Sequence, residues 1–215
     1  MSRVVGAPVS LLTRRCVAYC SGVLNKADLP SREEQYAGTR LDREVLRELW
    51  KSVGPFTWDA FASEATAFIP PGWEGYPIPE CYLDYFSLSE DRYSKGTDCF
   101  TQNVAERDGV EEFMYANPPH VCARAAVLFF AESRARALFV LPLPEIPAPY
   151  WWDELVVRYA TWQRVLPVAC NEYRVNGGWA ASSRPMAQIA CVLDFRDRAA
   201  RSIDRVVPSF GGVDV

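Results

Sequence analysis

Residues 111–120 read EEFMYANPPH: an acidic pair, a short apolar run, then Asn117, Pro118, Pro119 and His120, the single histidine of the 215-residue chain. Four consecutive apolar positions bounded by breakers predict a strand over VEEFMYAN. Proline fixes φ and lacks an N–H, so two in succession end the strand and stiffen the turn. VCARAAVLFFAESRA then reads as a helix. A strand, a rigid turn and a helix place residues 117–120 at the carboxyl end of a strand, where open α/β sheets hold their ligands. An Asn side-chain oxygen beside a fixed proline carbonyl suits a primary amine that donates two hydrogen bonds, and adenine N6 is such an amine. The alternative is a plain helix-start turn, with His120 capping the helix that begins at Val121 or simply exposed.

The flanking sequence supplies the layers such a site needs. LDREVLRELWKSVG carries Leu41, Val45, Leu46 and Leu49 at helical spacing and stops at Gly54. PFTWDAFAS predicts a strand, the stretch from Pro70 to Pro79 a loop holding four of the sixteen prolines, and CYLDYFSLS and DCFTQNV further short strands. ALFVLPLP predicts another strand and WDELVVRYAT a helix. QRVLPVACNEYR and MAQIACVLDF close the pattern as two strands about the turn-rich VNGGWAASSRP. This alternation predicts an α/β fold with a mostly parallel sheet that ends in an antiparallel hairpin, in one domain over residues 28–200. Residues 201–215 read as a tail, and RDRAARSIDR as a solvated charged segment.

Composition narrows the function. With 49% hydrophobic residues the chain can bury one sizeable core. Its net charge is −4, yet residues 1–27 hold Arg3, Arg14, Arg15 and Lys26 and no acid; these four of the 23 basic residues leave 19 against 27 acidic ones in the remainder. An acidic body argues against broad, nonspecific wrapping of phosphate backbone. The basic opening has the composition of a mitochondrial targeting segment or of an ordinary amino terminus, with nuclear or cytoplasmic residence as the alternative to a mitochondrial one. AAVLFFA and ALFVLP, the longest apolar runs, fall short of the roughly 18 residues of a membrane span, so no membrane insertion is expected. Seven scattered cysteines without a CxxC pair, and one histidine, point to buried thiols and to no zinc site.

In order along the chain, FTWDAFASEATA, GTDCF, YANPP, ALFVLPLP and RVLPVACNEYRVNGG resemble segments of the N6-adenine methyltransferase-like domains of the phosphorylated-CTD-interacting-factor family, the cap-specific adenosine N6-methyltransferases, and of DIRS-type retroelement methylase domains. The resemblance spans about residues 41–195. It implies a Rossmann-like class I methyltransferase fold that binds S-adenosylmethionine. It places Asp59, Phe61 and Ala62 where the cofactor pocket begins, and Asp98 with Phe100 near the cofactor's adenosine. Asn117, Pro118, Pro119 and His120 then form the catalytic motif. Asn117 and the Pro118 carbonyl would accept from the target N6 amine of an RNA base, single stranded or flipped out. The family has an aromatic residue where this chain has His120.

Two functions from different classes follow. One is an S-adenosylmethionine-dependent N6-adenine methyltransferase acting on RNA. The other is a methyltransferase-fold protein without catalysis, a structural or assembly subunit of a ribonucleoprotein complex such as a mitochondrial ribosome, with protein partners. An open pocket bounded by Asp59, Asp98 and Asn117 would favour the first, and a filled one the second. Trp151, Trp152, Leu155, Tyr159 and Trp162 recur at helical spacing and are read as a packed face, in preference to a base-stacking platform. Glu172 and Arg174, ahead of Gly177 and Gly178, are placed at the hairpin tip within reach of substrate or a partner.

Overall fold

The computed structural model describes residues 39–77, 80–144, 147–168, 170–175, 178–181 and 186–196. The basic opening segment and the tail lie outside the described residues. The chain starts with strand β1 (Thr39–Leu41) and helix α1 (Arg43–Val53), followed by β2 (Trp58–Ala62), β3 (Asp84–Ser87) and the two-residue β4 (Gly96–Thr97). A small hairpin, β5 (Glu106–Arg107) and β6 (Val110–Glu111), leads into β7 (Phe113–Ala116), a 3₁₀ turn (His120–Cys122) and helix α2 (Ala123–Glu132). After β8 (Arg136–Pro142) and a π-helical segment (Trp152–Val157) come β9 (Ala160–Val165), β10 (Asn171–Val175), β11 (Gly178–Ala181) and β12 (Gln188–Asp194).

Seven strands form one α/β sheet in the order β4-β3-β2-β7-β8-β12-β9. The pairs β3–β4, β2–β3, β2–β7 and β7–β8 are parallel, whereas β12 is antiparallel to both neighbours. From β2 the chain moves outward to β3 and β4, then returns to β7 on the other side. The carboxyl ends of β2 and β7 therefore flank the topological switch point, where neighbouring connections diverge and leave a crevice.

Side chains alternate between two cores, as the pleat requires. Trp58, Met114, Phe139, Leu141 and Cys191 face α2, which contributes Ala126, Val127 and Phe130, and the π-helical segment, which contributes Trp152 and Val156. Tyr115, Leu138, Val140, Ala190 and Val192 face Leu49 of α1 together with Leu41, Phe56 and Phe68. The narrow apolar stripe of α1 matches its single buried residue, Leu49. Its amino terminus is closed by Asp42, whose carboxylate accepts from the Glu44 N–H (2.9 Å) and the Val45 N–H (3.2 Å). At its far end a Cβ on Gly54 would sit 2.6 Å from the Trp50 carbonyl oxygen, so no side chain fits there. Asp42→Ala leaves two amide donors without that acceptor and is expected to lower stability by about 1 kcal/mol, read as a shift in urea midpoint at unchanged slope.

Three expectations change. The segment around Asp98–Val104 holds a 3₁₀ turn at Cys99–Thr101 in place of a strand, because the Asp98 side chain accepts the Phe100 N–H (3.2 Å) and winds the backbone locally. Residues 160–162 do not prolong the preceding helix, which ends at Tyr159: the chain turns extended at Ala160, and Trp162 pairs with Val192 on β12. Trp151, Trp152, Leu155 and Tyr159 do pack together on the α2 side, while Trp162 packs on the opposite core. Residues 163–174 are not one strand either. Leu166 and Pro167 break the run, and β10 leaves the main sheet to join β1 and β11 in a three-stranded antiparallel sheet. The antiparallel neighbours β9 and β12 are thus separated in sequence by the β10–β11 hairpin.

Candidate functional site

A cavity of about 530 Å³ opens at the switch point. Asp59 and Phe61 of β2, Tyr115 of β7 and Asn117 just beyond it form one side; Leu46 of α1 and Phe68 of the loop after β2 form another; Arg40, Arg43 and Trp179 also line it. Asp59 and Tyr115 are register partners on adjacent parallel strands, which puts a carboxyl and a phenol side by side at its base.

Asp59 is 2% exposed. Its two carboxylate oxygens accept from the Phe61 N–H and the Phe68 N–H, each at 3.2 Å, so the loop after β2 is folded back over the carboxyl. Burial pushes Asp59 up to about 7, against the downward pull of those two amide donors. The carboxyl therefore changes charge near neutrality. Tyr115 is raised well above its ordinary value by burial, stays protonated, and hydrogen-bonds with the Asn117 side chain.

The turn after β7 is built as its composition demands. Pro118 is buried, Pro119 and Asn117 are half-buried, and His120 is exposed. The Pro119 carbonyl accepts the Cys122 N–H (2.8 Å) and is committed to the 3₁₀ turn. No such backbone hydrogen bond from a described residue falls on the Pro118 carbonyl, which lies beside Asn117. His120 is the first residue of the 3₁₀ turn, with Pro119 as its cap residue; its Nε2 lies 3.1 Å from the Gln188 side-chain nitrogen. Partial removal from water holds the imidazole below its ordinary pKa.

The remaining candidates lie apart from the cavity. Ala62 packs with Ala67 and Tyr85 in a small separate cluster. Asp98, held at φ 53°, caps its own turn through one oxygen, while its buried Oδ2 has no hydrogen-bond partner among the described residues. The Phe100 ring meets Phe61 at 5.8 Å and Phe129 at 5.5 Å, both edge-on, so aromatic packing joins the end of β2 to the turn at 98–101. Asp59, Phe61 and Asn117 thus share one cavity, whereas Pro118, Pro119, His120, Ala62, Asp98 and Phe100 are not among its lining residues, and Phe100 meets it through Phe61.

Several lining and supporting residues carried no legible sequence signal. Arg40 rests 4.0 Å over the Trp179 ring and donates from Nε to Glu172 (2.8 Å), tying β1 to the β10–β11 hairpin beside the cavity. Arg47 bridges Glu44 and Glu74, while Arg43 is exposed with no ion-pair partner among the described residues. Gln188 and Asn171 are buried amides in contact with each other (2.8 Å). Glu172, expected at a hairpin tip, lies instead near the start of β10, paired with Arg40 of β1 and Ala181 of β11, and its carboxylate serves Arg40. Among the described residues no group of three or more His, Cys, Asp or Glu side chains is arranged to hold a metal ion, and no helix is long and apolar enough to cross a membrane.

No protein-family model matches this chain, and no curated protein matches its sequence.

Proposed function

We propose that the chain is an S-adenosylmethionine-dependent N6-adenine methyltransferase-like protein acting on RNA. One observation carries this reading: a cavity at the switch point of a seven-stranded sheet joins Asp59 and Phe61 of β2 to Asn117, the first residue of the Asn-Pro-Pro turn after β7. A strand order with one reversal at the centre, and a last strand inserted antiparallel beside the edge, is the arrangement of class I methyltransferases. The motif resemblance, Asp59 and Phe61 on β2 and an acceptor pair at Asn117 and Pro118, supports the same reading. In this proposal the cofactor supplies the methyl group, and the protein's work is positioning. Asn117 Oδ1 and the Pro118 carbonyl accept from the target amine and turn its lone pair toward the transferable methyl, without a covalent intermediate. The Asp59 carboxyl at the cavity base favours the cationic, amine-bearing end of the cofactor when ionised.

A second reading, a non-catalytic subunit of a ribonucleoprotein complex, is favoured by a specific feature. The Phe61–Phe100–Phe129 packing occupies the ground between β2 and the Asp98 turn where the resemblance puts the adenosine. Incubating the protein with S-adenosylmethionine carrying a labelled methyl group and single-stranded adenine-containing RNA separates the two. The enzyme reading expects label in RNA recovered as N6-methyladenosine. Folded protein that transfers none, with or without RNA partners, leaves the subunit reading.

A further inference from the structure

The Asn117–His120 turn is backed by a buried chain of side chains that the proposed methyl transfer does not use. Gln188, 1% exposed at the start of β12, approaches His120 Nε2 with its Nε2 (3.1 Å). Its Oε1 accepts from Asn171 Nδ2 (2.8 Å) and from the Cys170 thiol (3.2 Å). Asn171 is 5% exposed and its Oδ1 has no partner among the described residues.

The polarity of this chain follows from what each end can donate. Burial raises Cys170, so the thiol keeps its proton and acts as a donor toward an oxygen. Reversing the Gln188 amide would face its –NH₂ against that thiol and force Asn171 to reverse too. A buried –NH₂ with two unmade donors would then replace a carbonyl oxygen with unmade lone pairs, and orphaned donors are the rarer and costlier defect. Gln188 therefore donates toward His120, and His120 Nε2 must be the acceptor. An imidazolium would set N–H against N–H at 3.1 Å, which agrees with the lowered pKa of the ring. The ring's other nitrogen, on the edge away from Gln188, carries the proton.

We propose that Gln188 is a positioning residue that holds His120 with its proton on Nδ1, making the Asn117–His120 turn a reader of an amine next to an acceptor nitrogen. Asn117 and the Pro118 carbonyl accept; His120 Nδ1–H donates. That pattern complements the amidine edge of adenine or cytosine and opposes the edge of uracil, whose ring N–H and carbonyl are reversed. The inference deepens the proposed function by naming how the same turn selects its base, and it rests on that reading for the identity of the ligand.

The single histidine makes the test clean. Nitrogen-15 NMR of histidine-labelled, cofactor-free protein assigns the proton to Nδ1 or Nε2 directly. The wild type is expected to show one neutral tautomer, protonated at Nδ1, with Nε2 unprotonated. Gln188→Glu, which puts an acceptor in the same place, is expected to move the proton to Nε2; Gln188→Leu is expected to give a mixture. Adenosine and cytidine 5′-monophosphates are expected to shift the Nδ1–H resonance, and uridine 5′-monophosphate to leave it unmoved. A wild-type Nε2–H tautomer would overturn the proposal, and so would an Nδ1–H resonance that no nucleotide, or all three equally, displaced. Failure of methyl transfer alone overturns the enzyme reading and leaves the tautomer result standing.

Discussion

Replacing Asp59 by Asn is expected to remove a loss of stability that the wild-type protein suffers as pH rises toward neutrality. The folded-state pKa of Asp59 is pushed up to about 7, while the unfolded chain titrates near the ordinary value of about 4. Below about pH 4 the carboxyl is protonated in both states, and its contribution is fully present. Between there and about pH 7 unfolding releases a proton, so stability falls as pH rises; above about 7 the loss is complete and constant. A shift of this size corresponds to roughly 4 kcal/mol, an upper bound because a buried site relaxes and admits water. Asn keeps one acceptor for the folded-back loop and cannot ionise. Urea midpoints measured from pH 4 to pH 8 are expected to show a downward slope in wild type that is absent from the difference curve's Asn partner. Parallel curves would mean that Asp59 is not the buried ionisable group described here.

Asn117→Ala is expected to reduce methyl transfer by about 10²- to 10³-fold while changing S-adenosylmethionine affinity by no more than about threefold. Half of the proposed acceptor pair would go, and with it the orientation of the amine lone pair, leaving the Pro118 carbonyl alone. Tyr115, buried at the cavity base, would lose its Asn117 partner, so a fold control belongs beside the kinetics. Single-turnover rates with labelled cofactor distinguish the outcomes. A variant with wild-type rates would remove Asn117 from the chemistry, and one that lost cofactor binding equally would move Asn117 into the cofactor's own contacts.

The elements that could be read from the sequence are those whose burial pattern is local. Phe113–Ala116, Arg136–Pro142 and Gln188–Asp194 are apolar runs covered on both faces, and α1 carries a stripe against one core. Their existence and type follow from period and breakers alone. Less was legible where a distant partner decides. Residues 160–162 continue a helical apolar pattern in the sequence, yet pairing with β12 draws them into the sheet with the rest of β9. Residues 171–175 are drawn into a second sheet by β1, which lies 132 positions away at the Arg40–Glu172 contact. β4 is two residues long and depends on Ser87 and Phe86 for its definition.

The candidate site divides along the same line. Asn117 announces itself because two prolines isolate it at a strand end, and Asp59 because it interrupts an aromatic strand. The arginines and Trp179 around the cavity come from β1, α1 and β11, so only the tertiary fold could bring them there. Gln188 reads as an ordinary residue at the start of an apolar strand until His120, 68 positions earlier, is placed against it.

Calorimetric titration of the folded protein with S-adenosylmethionine tests the central claim most directly. The account predicts micromolar binding, abolished by Asp59→Ala and largely retained by Asn117→Ala. Absence of binding to a protein whose circular dichroism and urea transition report a native fold would contradict it.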